Sequence, residues 1–243
     1  MRKFVTALAV LVLAASSSLA QSYPVGRKLD GPSGTRTFHS VPDYNVGKFT
    51  VESNVPISFG TCTLSSIDFG TYGDRLLDSK LVRNFEFSTN LTGVSYTFAP
   101  GAKMSVGVRV TYSNYYFLAP MYFVNEGREM VPYYPQQSVR KSKIRTDYVG
   151  FPLGLSVESG GIRFSCNVSA EFLAKAVTKC KTGDGRVWKE EIFGINRFRS
   201  VIQGTFSYKG FGVYVNYCLT PFFEPGFGRM DTHSISFGLL LDL

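Results

Sequence analysis

The sequence predicts an all-β fold, an eight-stranded antiparallel up-and-down transmembrane β-barrel, and three observations lead to it. Residues 232–243 alternate, with His233, Ile235, Phe237, Leu239, Leu241 and Leu243 on one face and, Leu240 apart, Thr232, Ser234, Ser236, Gly238 and Asp242 on the other. The same period of two recurs in segments along the chain, joined alternately by short and long connections. An export signal stands ahead of them. A strand whose apolar face meets lipid must belong to a closed sheet, because hydrocarbon offers no partner to an unpaired backbone N–H or C=O.

Arg2 and Lys3 precede an apolar run at 4–15, and Ser16-Ser17-Ser18-Leu19-Ala20 supplies the small residues of a cleavage site. The run is too short to span a membrane, and no other segment approaches the roughly 18 apolar residues that a spanning helix needs. Gln21 follows, where a lipoprotein would carry Cys. Residues 1–20 are therefore expected to be a signal peptide. Residues 21–47, with Pro24, Gly31-Pro32-Ser33-Gly34 and Pro42, are expected to be a flexible periplasmic lead-in, and residues 48–243 the barrel domain.

The first segment, 48–63, sets Phe49, Val51, Val55, Ile57 and Phe59 against Glu52, Asn54 and Ser58. The second, 82–98, begins with Phe85 and Phe87 outward, but Val94, Tyr96 and Phe98 have the opposite parity, which calls for a bulge near Gly93. Pro100-Gly101 turns into the third, 103–118, where Met104, Val106, Val108, Val110 and Tyr112 alternate with Ser105, Gly107, Arg109 and Thr111. After a long loop at 119–142 comes the fourth, 143–158, with Val149, Phe151, Leu153, Leu155 and Val157 outward. Ser159-Gly160-Gly161 leads to the fifth, 162–178, whose distal half also suits a short helix, since Glu171 and Lys175 stand at i,i+4 spacing; the alternation favours a strand. A loop at 180–192 precedes the sixth, 193–208, and Lys209-Gly210 turns it into the seventh, 211–222. A loop containing Pro225-Gly226 reaches the last strand. Residues 74–82 are the other helical candidate, with Asp74 as cap.

Removing Arg2 and Lys3 from 26 basic residues leaves 24 against 18 acidic ones, a mature charge of +6. Such an excess suits phosphate-rich partners, and export argues for lipopolysaccharide over nucleic acid. The cysteines, Cys62, Cys166, Cys180 and Cys218, lack the short spacing of metal or redox motifs and are expected to be buried or lipid-facing thiols. No cofactor or metal is implied.

The run Tyr148-Val149-Gly150-Phe151-Pro152-Leu153-Gly154-Leu155 resembles the Y-L-E-I-P-L-L-L pattern in the fourth strand of the Bacteroidetes-type outer-membrane β-barrel family, the porin-T-like group. The elements around it resemble that family too: a tight turn into a strand ending in alanine and lysine, a Gly-Phe-Gly hairpin and a terminal Ser-Phe-Gly strand. The resemblance spans about residues 48–243 and implies an outer-membrane location, assembly by the barrel-assembly machinery and, as one option, a place in a secretion apparatus. Gly150 stands where an acidic residue is usual, and Leu243 where an aromatic one is.

Strand parity gathers Glu52, Glu86, Lys103, Arg109, Arg163, Glu171, Lys175, Arg197 and Arg199 inside the barrel. Unpaired, each buried charge costs several kcal/mol, so a hydrogen-bonded plug is expected. The alternative is a narrow channel along Arg197 and Arg199. Tyr96, Phe98, Tyr208 and Phe211 near the short turns, and Tyr115, Tyr116, Phe222 and Phe223 near the long loops, are expected to form membrane-interface girdles. Arg128, Lys141, Lys143, Lys181 and Arg186 are loop cations with two readings, contact with lipopolysaccharide phosphates or, as is commoner for such residues, simple solvation.

Only His39 and His233 are present, no G-x-S-x-G or H-E-x-x-H motif occurs, and Asp231 with His233 forms an isolated D-x-H triplet. A membrane-embedded hydrolase is thus the third reading. The first is a non-enzymatic outer-membrane barrel with a filled lumen, acting through external loops in envelope integrity, adhesion or protein-partner binding.

Overall fold

Eight strands of this computed structural model are each hydrogen-bonded to two neighbours, and the cycle closes on itself. The structure describes residues 46–52, 56–64, 82–126, 129–192, 194–224 and 232–242, with Glu52 and Glu129 described by backbone alone. The expected signal peptide, the lead-in through residue 45 with His39, residues 74–81 of the helical candidate, Arg128, Pro225-Gly226, Asp231 and Leu243 lie outside the described residues.

In chain order the strands are β1 (Phe49–Glu52), β2 (Ile57–Leu64), β3 (Phe85–Ala99), β4 (Ala102–Phe117), β5 (Tyr122–Glu126), β6 (Glu129–Tyr133), β7 (Val139–Ser159), β8 (Ile162–Thr182), β9 (Val187–Glu191), β10 (Phe198–Tyr208), β11 (Phe211–Cys218) and β12 (Ser234–Leu241). The cycle runs β3-β2-β12-β11-β10-β8-β7-β4 and returns to β3, with every pair antiparallel. Closure removes the free edges that an open sheet would expose. Among the described residues no helix occurs, and none is long and apolar enough to cross a membrane.

One end of the cycle is made of tight turns. Ser159 pairs with Ile162 and Tyr208 with Phe211, so each hairpin has a two-residue loop, and both central residues of each have positive φ: Gly160 and Gly161 at 60° and 81°, Lys209 and Gly210 at 48° and 87°. That is the primed turn geometry whose twist matches the flanking strands. The turns are also stitched to their neighbours, Glu158 N donating to Gly101 O at 2.7 Å, Lys209 N to Gly161 O at 2.8 Å and Asp242 N to Gly210 O at 2.8 Å. A Cβ on Gly210 would stand 2.8 Å from Asp242 O, whereas one on Gly204 meets nothing within 4 Å. Gly210→Ala is therefore expected to lose about 1–2 kcal/mol, against less than about 0.5 kcal/mol for Gly204→Ala, measured as urea midpoints of folded-form gel mobility.

Strand parity is inverted relative to a water-soluble protein. Outward-pointing Met104, Val106, Phe151, Leu153, Phe164, Phe206, Val213 and Leu239 are exposed, while inward-pointing Ser88, Thr111, Thr146, Ser169, Ser207 and Ser236 are buried. The expected parity break in the second segment is present, but the extra residue is Leu91 instead of Gly93, because the β3–β4 register skips from Asn90↔Arg109 to Thr92↔Val108. The first segment is two strands on one edge of β3, Phe49 opposite Tyr96 and Ile57 opposite Thr89.

The long connections carry more order than periodicity foretold. Within the expected loop at 119–142, β5 and β6 pair as a separate hairpin, and β7 already begins at Val139. Within 180–192, β9 folds back on β8, Lys179 opposite Lys189. Thr182 Oγ1 donates to Asp184 at that hairpin's tip and holds its carboxyl below the ordinary carboxylate range. The helical option at residues 170–179 does not form, since β8 continues through Thr182.

Candidate functional site

The inward positions of the strands build three layers inside the ring. At the turn end, Lys103 of β4, Arg163 of β8 and Asp242 line a cavity of about 230 Å³ together with serines and threonines. Arg163 donates to Glu158 Oε2 from Nε at 3.0 Å and from Nη2 at 2.7 Å, and its Nη1 reaches Asp242.

The middle layer closes that cavity. Arg109 donates to Asn90 Oδ1 at 2.9 Å and Gln203 Oε1 at 2.7 Å, and Asn167 donates to the same Gln203 oxygen at 3.1 Å. Glu86 accepts from Ser113 Oγ at 2.9 Å, Asn216 Nδ2 at 2.9 Å and Ser236 Oγ, so one carboxylate ties β3 to β4, β11 and β12. Glu171 Oε2 accepts from Arg199 Nε at 2.7 Å and Nη2 at 2.6 Å, and its Oε1 accepts from Ser169 Oγ at 3.0 Å. The Arg199 guanidinium lies 3.9 Å from the Tyr148 ring centroid, a cation–π contact out of water. Gly150 makes room for this arrangement, since a Cβ there would stand 2.5 Å from Glu171 Cγ. The missing acidic side chain at 150 thus leaves the space that Glu171 fills.

The outer layer is apolar. Tyr115, Phe117, Met121, Phe123, Ile144, Ile195, Phe222 and Phe223 are buried against one another, with Tyr115 and Phe222 rings 4.9 Å apart. Tyr115 Oη meets Ser234 Oγ at 2.7 Å.

Of the charges expected inside, Glu86, Arg109, Glu171 and Arg199 are buried there and Lys103 and Arg163 line the cavity. Glu52 has its backbone opposite Gly93, and its side chain is outside the described residues. Lys175 is exposed instead. The β7–β8 register skips Ala174, from Tyr148↔Leu173 to Asp147↔Lys175, which turns Lys175 to the outer face. Arg197 precedes β10 and is exposed, 3.7 Å from Glu224, so it forms no ladder with Arg199.

The expected girdle divides in the same way. Tyr96, Phe98, Tyr208 and Phe211 point outward at the turn end, where Phe49 packs on Tyr96 at 4.9 Å. Tyr116 also faces outward. Tyr115, Phe222 and Phe223 are a correction: they plug the interior, because Tyr115 keeps the inward parity of Ser113 and the chain after β11 folds over the mouth of the ring. Nearness to a long loop in sequence did not decide orientation.

Gln203, Asn90, Asn167, Asn216 and Tyr148 join the interior network beyond the expected charges, and inward parity is the sequence signal that marks them. The four cysteines are free thiols, Cys62, Cys180 and Cys218 buried and Cys166 half-buried on the outer face. His233 stacks on Tyr217 at 5.7 Å with Nδ1 2.9 Å from Cys218 O. Among the described residues no three His, Cys, Asp or Glu side chains cluster in metal-binding reach.

No family model and no curated protein matches the chain. Among solved structures it is similar to Ail, the attachment invasion locus protein of Yersinia pestis, with a TM-score of 0.32 and 9% identity over 77% of this chain and 97% of that one.

Proposed function

We propose that this chain is an eight-stranded β-barrel of the outer membrane, with a side-chain-filled interior and an interaction role carried by the structure beyond its apolar belt. The observation that carries the proposal is a closed hydrogen-bonded ring with exposed apolar residues outside and buried hydrogen-bonded polar residues inside. On β8 the outward apolar positions extend from Ile162 to Phe172, ten steps of about 3.3 Å, and a strand tilt of about 40° converts that length to about 25 Å of height. An outer-membrane barrel presents an apolar band of about that height.

The short-turn end would face the periplasm, with the export signal delivering the chain there. The longer hairpins β5–β6 and β8–β9 would stand outside, as the binding loops of such barrels do. Envelope integrity, adhesion or capture of a protein partner are the roles these hairpins suit. The run at 148–155 supports a finer assignment to the porin-T-like group. Against a channel stands the stack of the Arg109–Gln203 layer, the Glu171–Arg199 pair and the aromatic plug.

Fractionation and heat-modifiable gel mobility test the proposal. The chain is expected in the outer-membrane fraction, migrating faster unheated than boiled, and silent in planar bilayers. A soluble periplasmic product overturns the barrel, and steady single-channel conductance overturns the filled interior.

A further inference from the structure

We propose that the outer face of β7, β8 and β9 just beyond the apolar belt docks the phosphate groups of a phosphorylated glycolipid in the surrounding leaflet. This docking surface presupposes the barrel proposed above. Three paired strands and their neighbour β4 set the row Tyr116, Lys143, Lys179 and Lys189 side by side, each residue directly opposite the next. The row beyond it places Lys141 opposite Lys181. Ser142, Ile144 and Thr146 between these positions are buried inward, so the lysines point out.

Like charges directly opposite on a sheet destabilise it. Yet among the described residues none of the three lysines in the first row has an ion-pair partner. Lys143 Nζ reaches only the neutral Asn114 Oδ1, and Lys141 and Lys143 lie 5.1 and 5.4 Å from the centroid of the Tyr116 ring. Nearer the belt, Arg145 is matched by Asp147, at 2.9 and 2.7 Å, and Lys175 stands opposite that same Asp147. The cations therefore outnumber carboxylates most where the strands have left the belt. Fixed cations about 5 Å apart across strands match an array of phosphate oxygens that bridges them.

The height of the ladder selects the ligand class. From Lys175 to Lys181 the strand advances six residues, about 20 Å along its axis and about 15 Å in height at the tilt above. A phospholipid headgroup layer is only about 5–8 Å thick. A saccharide headgroup bearing several phosphates reaches the whole ladder, and a simple phospholipid reaches only its foot.

The test uses the full chain reconstituted in phosphatidylcholine vesicles that carry a minority of lipopolysaccharide, of its enzymatically dephosphorylated form, or of phosphatidylglycerol. The readout is lipid retained per protein after detergent extraction, with Lys143→Gln/Lys179→Gln/Lys189→Gln as the variant. Wild type is expected to retain intact lipopolysaccharide at least about tenfold over the other two lipids, and the triple variant to lose that excess while keeping heat-modifiable mobility. Equal retention with and without phosphates, or an unaffected triple variant, overturns the docking surface. Equal retention of phosphatidylglycerol overturns the glycolipid assignment. A wild-type chain that never enters the bilayer overturns the barrel and this surface with it, whereas insertion without phosphate discrimination overturns the surface alone.

Discussion

Glu171→Ala is expected to lower unfolding stability by about 3–5 kcal/mol, because it strands the Arg199 guanidinium inside the ring without its carboxylate. Arg199 is only 5% exposed, and Glu171 1%. Neither group can turn to water when the other is removed. Tyr148 would still stack on the cation, but a ring face contributes far less than two charge-assisted hydrogen bonds. Replacing both partners with apolar residues of similar volume, Glu171→Leu with Arg199→Met, is expected to recover most of the loss, since an apolar pair leaves no buried charge. Urea titrations followed by folded-form gel mobility read both variants. A single variant within about 1 kcal/mol of wild type would show that the pair is not held out of water.

Truncation of Glu86 is expected to be nearly as damaging for a different reason. Its carboxylate collects donors from Ser113, Asn216 and Ser236, on strands from opposite parts of the cycle, and among the described residues it forms no ion pair. Glu86→Ala leaves those buried donors without an acceptor, and hydrogen bonds to a charged group contribute about 1.5–3 kcal/mol each. Their losses overlap, so about 3–5 kcal/mol in total is expected. Glu86→Gln keeps the shape and one acceptor oxygen while removing the charge, and its loss should be about half as large. The two variants separate charge from shape in one titration. Equal losses would mean that the charge alone carries the strut, and a Gln variant at wild-type stability that packing alone does.

Much of the ring could be read from the chain before any coordinates. The side-chain period of two is a covalent property of an extended backbone, so the alternation of Val149, Phe151, Leu153 and Leu155 with Tyr148, Gly150 and Gly154 announces a strand with one greasy face wherever it lies. Positive-φ turn residues are equally local, and Gly160-Gly161 and Lys209-Gly210 mark their hairpins. Glu86, Arg109, Glu171 and Arg199 follow from the same alternation, each read within its own strand.

Register slips and loop packing were not local. Whether the second segment shifts parity at Leu91 or Gly93, and whether Lys175 faces in or out, depends on which residue the neighbouring strand leaves unpaired. Arg197 stands just ahead of β10, where its carbonyl still accepts from Leu173 N at 2.8 Å but its exposed side chain turns to Glu224. Tyr115, Phe222 and Phe223 look alike to any count of aromatics near loops, and only the closing of the ring made a dry interior for them to fill. The row of Lys143, Lys179 and Lys189 is likewise invisible along the chain, since three lysines far apart in sequence became neighbours through strand pairing. The chain's own alternation decided which surfaces are greasy, because each residue carries that information in its covalent geometry. The folded ring decided which polar and charged groups meet, because hydrogen-bond partners are properties of pairs, and pairs exist only once strands have chosen their neighbours.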